Sequence, residues 1–147
     1  AGAGYTRRYQ ESGTELNPMA RMFLFLGALN GMLALALGAF GAHALRSRIA
    51  ADLFSVFQTA THYHQLHALG LLAVGLLALH HPSRWLAGSG WLMLGGTLLF
   101  SGSLYLLAVS GVRIPGMVTP VGGVALLLAW LALCAAVLRM PSRAGQQ

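Results

Sequence analysis

The chain has 147 residues, of which 56% are hydrophobic and only 8% are charged, and its formal net charge is +6. Soluble domains carry about 25% charged residues, so this composition excludes an ordinary water-soluble protein, whose surface needs more charge. The positive charge comes from arginines alone, and they flank apolar runs rather than forming a basic stripe. That distribution argues against a nucleic-acid partner.

Four long segments contain no Asp, Glu, Lys or Arg, and each is long enough to cross a membrane as a helix. A span needs about 20 apolar residues, whereas bilayer-crossing strands alternate apolar and polar residues. Stretches 69–79 and 124–133 show no alternation. The sequence therefore predicts an all-α integral membrane protein, a bundle of four transmembrane helices whose lipid partner is the bilayer. The predicted spans are about 22–45, 59–79, 85–109 and 119–138.

The first 21 residues are polar and are predicted to form an N-terminal tail before the membrane domain, residues 22–138. The first apolar run is too long for a cleaved signal peptide and precedes no small-residue cleavage site. Within it, small residues mark one face for close helix contact, and Asn30 is predicted to make an interhelical hydrogen bond or to line a site. The glycines predicted to pack against other helices are Gly27, Gly31, Gly38 and Gly41 in span one and Gly122 and Gly123 in span four.

Between spans one and two, Ile49, Leu53 and Phe57 recur every four residues, with Arg46 and Asp52 supplying a polar flank. This pattern predicts a short amphipathic helix that lies along the membrane interface before the chain turns into span two. Span four follows a hydroxyl cap and a first-turn proline, and residues 139–147 form a C-terminal tail.

The distribution of arginines predicts the topology. With four spans, the N-terminus, the 80–84 turn and the C-terminus share one side of the membrane. The arginines on that side are Arg7, Arg8, Arg21, Arg84, Arg139 and Arg143, and those on the other are Arg46, Arg48 and Arg113. Six arginines against three predict that both termini lie in the cytoplasm.

If the protein has a chemical site, it is expected among the polar residues inside the spans. On a helical wheel, His64 and His67 share one face of span two, while Ser101 and Tyr105 share a stripe of span three. His43 closes span one on the same side. Because intramembrane polar groups are costly and usually face the bundle interior, these five residues are predicted to converge in the outer leaflet.

Two interpretations of the histidines remain open. His43, His64 and His67 have ligand types suited to zinc or copper, and two histidines from facing helices are able to ligate a haem. Alternatively, each histidine bonds a carbonyl or hydroxyl group and ties the helices together, or lines a path for a small molecule or a proton. The sequence by itself names no cofactor, and Cys134, the single cysteine, forms no internal disulfide.

An ordered series of motifs resembles a known family. The motifs are Leu37–His43, Gln58-Thr59-Ala60 with Tyr63, His67-Ala68-Leu69, Leu99–Tyr105 and Thr119–Gly123. Over about residues 22–138, the series closely resembles the bacterial YgdD-like family, a domain of unknown function with mitochondrial relatives. The resemblance implies a four-span protein of the bacterial inner membrane and supplies no catalytic residue, substrate or cofactor. His43 and His67 fall inside the matching motifs, whereas His64 does not.

Three classes of function follow from these features. The first is an accessory or structural subunit that packs against a larger membrane complex or against itself, which the glycine-rich faces favour. The second is a metal- or haem-binding membrane protein. The third is a small transporter, although the spans contain no charged residue and no clear inverted repeat. An enzyme is not expected, because the sequence shows no evident nucleophile–base pair, paired carboxylate or phosphate loop.

Overall fold

The computed structural model describes residues 16–141, and within them the chain forms four α-helices. Two short turns of other helical types join them: a π-helical turn, Gly41–Leu45, and a 3-10 turn, Ile114–Met117. The predicted contributions of Arg7, Arg8 and Arg143 to the topology lie outside the described residues. The four helices are α1 (Pro18–Phe40), α2 (Ala51–His80), α3 (Arg84–Ser110) and α4 (Thr119–Leu138).

Helix α1 begins four residues before the predicted start of span one. The Asn17 side chain accepts a hydrogen bond of 3.0 Å from the backbone N–H of Met19, and Pro18 occupies the first turn. Asparagine as an N-cap followed by proline is a favourable helix start, because proline lacks the N–H that would be unpaired there. Arg21 therefore lies inside the helix rather than in a tail.

Helix α2 corrects the prediction of a separate interfacial helix over residues 46–58. The chain from Ala51 to His80 is one continuous helix of 30 residues. The four-residue repeat of Leu53 and Phe57 belongs to the first turns of this long helix, and Phe57 is buried against other helices. The apolar repeat does lie on a helix, but that helix is α2 itself, because nothing between residues 51 and 80 interrupts it.

Helices α3 and α4 have recognisable ends. The Ser83 hydroxyl accepts a hydrogen bond of 3.2 Å from the N–H of Leu86 and caps the start of α3. Gly111 ends α3 with φ = +70°, a left-handed conformation that glycine adopts without steric cost. Pro120 lies in the first turn of α4, as the sequence indicated, but the predicted hydroxyl cap is absent there, because Thr119 is the first residue of the helix and pairs with Ser103 instead.

Each helix packs against the next one in sequence, most extensively α1 with α2 and α3 with α4. In the first pair the contact is reciprocal. A Cβ added to Gly27 would lie 2.8 Å from the backbone N of Leu72, and one added to Gly75 would lie 2.8 Å from the backbone N of Leu24. In the second pair, the Ser89 hydroxyl donates to the Ala129 carbonyl at 2.8 Å. In both pairs, therefore, one helix contacts the backbone of the other directly.

The two ends of the molecule differ in their packing. At the end where α1 begins and α4 ends, called the termini end, all four helices share one apolar cluster. Its members are Ala20, Phe23, Leu71, Val74, Ala78, Leu86, Met93, Ala129, Leu133 and Ala136. At the other end, called the loop end, a smaller cluster joins only Leu45, Phe57 and Ala108. The apolar core is therefore concentrated at the termini end.

Within the part of the chain that the structure describes, three segments are long and apolar enough to cross a membrane: Pro18–Leu45, Arg84–Ser110 and Ile114–Leu138. Many exposed side chains on them are large and apolar, including Phe25, Leu98 and Leu127, each more than 60% exposed. Helix α2 has the length for a span, but its histidines and glutamines make it less apolar than the other three. Its polar side chains define the candidate site.

Candidate functional site

A chain of hydrogen bonds centred on His64 links three helices near the loop end. His64 lies on α2 and is 8% exposed. Its Nε2 atom is 3.1 Å from Oδ1 of Asn30 on α1, and its Nδ1 atom is 3.4 Å from the hydroxyl of Tyr105 on α3. The Tyr105 hydroxyl is also 3.4 Å from Oγ1 of Thr61 on α2. One histidine therefore connects α2 to both of its neighbours.

The surrounding bonds determine which groups donate. Asn30 Nδ2 donates to the Leu26 carbonyl at 2.8 Å, which leaves Asn30 Oδ1 to accept from the Nε2–H of His64. In a neutral imidazole, Nδ1 then accepts from Tyr105. Thr61 donates its own proton to the Phe57 carbonyl at 3.1 Å. Tyr105 has a single proton to share between His64 and Thr61, so it makes one of the two 3.4 Å bonds at a time.

His67 makes different contacts, one turn further along α2. It is 3% exposed, and its Nδ1 atom is 2.7 Å from the Tyr63 carbonyl. The indole Nε1–H of Trp130 on α4 donates to His67 Nε2 at 3.2 Å. His67 Nδ1 therefore carries the proton and donates to Tyr63. His64 and His67, though adjacent on the helical wheel, thus contact different helices: His64 bonds to α1 and α3, and His67 bonds to α4.

The structure does not bring the three predicted metal ligands together. His43 is exposed on the π-helical turn, away from the buried positions of His64 and His67. Among residues 16–141, no three His, Cys, Asp or Glu side chains are grouped closely enough to hold a metal ion. The prediction that His43 converges with the other two histidines is therefore corrected. His43 lies in the π-helical turn after Phe40, where α-helical spacing does not apply, and its side chain is exposed.

The predicted packing glycines occupy different environments. A Cβ added to Gly41 would lie 2.5 Å from the Phe57 ring, and one added to Gly38 would lie 3.2 Å from Thr61 Cγ2. An added Cβ on Gly122 would lie 2.4 Å from the backbone N of Phe100. Gly31 faces open space, and Gly123 would make only an ordinary contact with Phe100 at 3.7 Å. Of the two glycines in the GxxxG pattern, Gly27 packs closely against another helix and Gly31 does not.

Ser101 lies beside the polar chain but does not join it. The hydroxyl groups of Ser101 and Thr97 are buried without a hydrogen-bond partner, in side chains that are 1% and 3% exposed. Both side chains line a cavity of about 220 Å³ between α1 and α3, together with Asn30, His64 and Tyr105. The sequence placed Ser101 among the site residues, whereas Thr97 was noticed only as a member of the same helical stripe.

A second feature was missed by the sequence interpretation. Gln58, His62 and Gln65 lie at positions i, i+4 and i+7 of α2, and all three are exposed. They border a groove of about 190 Å³ whose other side consists of small residues of α1 and the π-helical turn: Gly38, Gly41 and Ala42. The spacing of these three polar residues, which places them on one face of α2 away from His64 and His67, is the sequence signal for this groove.

A comparison with protein families gives one match. The family model described as "Protein of unknown function (DUF423)" matches residues 37–123, which include the end of α1, all of α2 and α3, and the start of α4. The matched range contains His64, Thr97, Ser101 and Tyr105. No solved structure matches the chain.

Several membrane proteins are similar to most of the chain. A UPF0382 membrane protein of Staphylococcus saprophyticus is 45% identical over 115 residues, which cover 77% of this chain and 93% of that protein. The UPF0382 membrane protein YwdK of Bacillus subtilis is 43% identical over 125 residues, covering 81% and 98%. The UPF0382 inner membrane protein YgdD of Escherichia coli is 38% identical over 121 residues, covering 82% and 92%.

Proposed function

This chain belongs to the DUF423 family, whose similar members named above are membrane proteins, and from that premise we propose that it is a non-catalytic accessory subunit of a larger inner-membrane assembly. In this proposal the chain crosses the membrane four times with both termini in the cytoplasm. The surface that contacts the partner is the groove between Gly38 of α1 with Gly41 and Ala42 of the π-helical turn on one side and Gln58, His62 and Gln65 of α2 on the other, called the outer groove. The proposal rests on the exposed polar side chains of Gln58, His62 and Gln65, called the polar stripe of this groove.

The packing of α2 supports four spans. Close contacts between α1 and α2 extend from Leu24 beside Gly75 at the termini end to Gly41 beside Phe57 at the loop end. These 17 steps along α1 correspond to about 26 Å at 1.5 Å per residue, close to the thickness of the hydrocarbon core. If α1 and α3 both cross the bilayer, α2 runs between them for the same distance.

The termini end has the features of a cytoplasmic interface. Arg139 lies over the ring of Trp85, with its guanidinium carbon 4.5 Å from the ring centroid. Arg21 and Arg84 are exposed at the same end. Tryptophan and arginine concentrate at the membrane–water boundary, and arginine favours the cytoplasmic side. Together with the arginines of both tails, these residues support the proposed orientation.

The outer groove favours a protein partner over lipid. Gln65 lies near the middle of α2, and its Nε2 atom is 3.7 Å from a Cβ added to Gly38, close to the end of α1. Amide and imidazole groups that face acyl chains lose their hydrogen bonds with water and gain none from lipid. A transmembrane helix with polar side chains would satisfy them. The small residues beside the stripe would let that helix approach closely.

The partner is expected to be a different membrane protein whose helix carries hydrogen-bonding side chains. The test is gentle detergent extraction from native membranes, native-gel separation and mass spectrometry of the band that contains this chain. The wild-type protein should migrate with a partner in a fixed ratio. The triple variant Gln58→Leu, His62→Leu, Gln65→Leu should lose that partner, because leucine offers no hydrogen bond.

The control is Leu76→Ala, which changes an exposed residue of the same helix outside the outer groove. It should retain the partner. Wild-type protein that runs alone would contradict the accessory role, and a band containing only copies of this chain would replace it with self-association. Retention of the partner by a correctly folded triple variant would show that the outer groove is not the contact surface.

A further inference from the structure

We propose that the groove between α2 and α4 binds one acyl chain of a membrane phospholipid, with the Tyr63 hydroxyl donating to an ester carbonyl of the same lipid. This groove, called the aromatic groove, has a volume of about 370 Å³. Tyr63, Phe100 and Trp130 line it, one aromatic ring from each of α2, α3 and α4. It shares no lining residue with the outer groove, so the proposal does not depend on the accessory role.

The direction of the helices determines which end of the aromatic groove is nearer to water. Helices α2 and α4 both begin at the loop end, so Tyr63 and Gly123 lie nearer to that end than Leu66 and Trp130 do. Because helical side chains tilt toward the N-terminus of their helix, the Tyr63 phenol extends toward the loop end. Gly123 and Trp130 are seven residues apart on α4, which is about 10 Å along the helix axis. The groove thus runs inward from the loop-end side, in the direction of a lipid chain.

The walls of the aromatic groove suit hydrocarbon. Leucines of α2 and α4 complete the lining, and none of the described residues that line it is Asp, Glu, Lys or Arg. Leu66 and Leu127 are 44% and 68% exposed, so the mouth of the groove faces the acyl chains of the bilayer. Water is a poor occupant of an apolar space, because it needs several polar partners. An acyl chain instead gains van der Waals contacts with the rings and the leucines.

The polar groups of the groove leave one donor for the lipid. His67 uses both ring nitrogens, one with the Tyr63 carbonyl and one with the Trp130 indole. Within residues 16–141, the Tyr63 hydroxyl has no hydrogen-bond partner, and the residue is 39% exposed. Glycerol ester groups lie at the boundary between headgroups and hydrocarbon, where tyrosine is enriched because its ring is apolar and its hydroxyl is polar. A phospholipid whose chain fills the groove therefore presents an acceptor on the loop-end side.

The lack of charge in the groove favours a phospholipid over a free fatty acid. A fatty acid would place a carboxylate where the phospholipid places an ester, and an ionised group there needs a cation that the lining does not supply. The ester is neutral, and the phosphate of the lipid lies farther out, beyond the groove. Binding should then depend on the chain and the ester and be insensitive to the headgroup.

The test uses the whole chain, purified and delipidated in detergent, and counts bound dioleoyl phosphatidylcholine by native mass spectrometry. The wild-type protein should bind one lipid tightly before weaker sites fill. Gly123→Leu should weaken this binding more than tenfold, because Gly123 lines the groove and a Cβ added there meets Phe100 only at an ordinary 3.7 Å. Gly95→Leu on α3 is the matched control: no described atom lies within 4 Å of its added Cβ, and it does not line the groove.

Tyr63→Phe isolates the hydrogen bond to the lipid. It removes only the hydroxyl and should weaken the binding of the ester lipid about threefold to tenfold. For the dialkyl ether analogue of the same lipid, which has no ester carbonyl, wild-type and Tyr63→Phe proteins should bind equally. Dioleoyl phosphatidylglycerol should bind with the same affinity as the phosphatidylcholine.

Equal binding by folded Gly123→Leu and Gly95→Leu proteins would overturn the proposal, as would displacement of the phospholipid by an equal concentration of oleate. Tighter binding of phosphatidylglycerol would show that a headgroup is recognised instead. A loss for Tyr63→Phe that is as large with the ether lipid would overturn the hydrogen bond to the ester. If Gly123→Leu does not fold, Leu127→Trp, at the exposed mouth of the groove, replaces it. Because the protein is purified without a partner, these results are independent of the outcome for the accessory role.

Discussion

The termini end and the loop end of this protein are built from different interactions. At the termini end, all four helices contribute to one apolar cluster that includes Phe23, Leu86 and Met93, each without exposed surface. Glycine contacts occur at both ends, but toward the loop end the helices also meet through His64 and His67 and around cavities. The π-helical turn lies at this end as well.

This difference separates the end of the molecule with the larger apolar core from the end that contains the outer groove. Tight apolar packing gives van der Waals attraction in lipid, where helices gain little from the hydrophobic effect. Polar chains and cavities contribute less stability, but they offer surfaces that a partner or ligand recognises. We therefore expect substitutions at the termini end to reduce stability most.

The largest effect should come from Phe23→Ala. The Phe23 ring is fully buried, lies 5.8 Å from the Trp91 ring centroid in an edge-on arrangement, and fills the space beside Gly90. Its removal leaves a cavity and should lower the free energy of unfolding by about 3 kcal/mol. The measurement is unfolding in a detergent titration, with Phe25→Ala, an exposed residue of the same helix, as the control. Equal losses for the two variants would contradict the proposed contribution of the apolar cluster.

An intermediate effect is expected for Gly122→Ala. The added Cβ would meet the backbone of Phe100 at 2.4 Å, so α3 and α4 would have to separate. Overpacking of this kind should cost about 1–3 kcal/mol of stability. The adjacent change Gly123→Ala places its Cβ 3.7 Å from the Phe100 ring and should be tolerated. A loss for Gly122→Ala larger than that for Phe23→Ala would reverse the comparison between the two ends.

The smallest effect is expected for His64→Leu. This change leaves Asn30 Oδ1 and the Tyr105 hydroxyl without their bonds to the imidazole. Interhelical hydrogen bonds in membranes contribute modestly, so stability should fall by about 0.5–1.5 kcal/mol. His62→Leu, on the exposed face of the same helix, should not change the stability of the purified protein. An unchanged unfolding transition for His64→Leu would show that the polar chain does not stabilise the bundle.

The apolar runs and helix-capping residues predicted much of the helical organisation. The long charge-free segments correspond to the four helices, and Thr119-Pro120 marks the start of α4. The Asn17-Pro18 pair carried an equally clear signal for the start of α1, although hydropathy alone placed that start at residue 22. No breaker separates residues 51–58 from the rest of α2, which is why the predicted interfacial helix does not exist as a separate element.

The candidate site was less predictable because it depends on which helices are neighbours. A helical wheel places His64 and His67 on one face, but their directions differ by about 60°, enough for one to reach α1 and α3 and the other to reach α4. A helical wheel also assumes regular α-helical spacing, so it does not give the direction of His43, which lies in the π-helical turn. Gly31 fits a packing motif, yet α2 crosses α1 at Gly27 and leaves Gly31 open.

The reciprocal contact between α1 and α2 has a consequence for how the protein enters the membrane. The two helices are joined by only ten residues, 41–50, of which the first five form the π-helical turn, and each helix inserts a leucine against a glycine of the other. Such a helical hairpin can leave the translocation machinery as a unit, with the polar groups of α2 partly shielded by α1 from the beginning. Insertion of α2, the least apolar helix, would then be assisted by the helix synthesised just before it, and the α3–α4 hairpin would dock later.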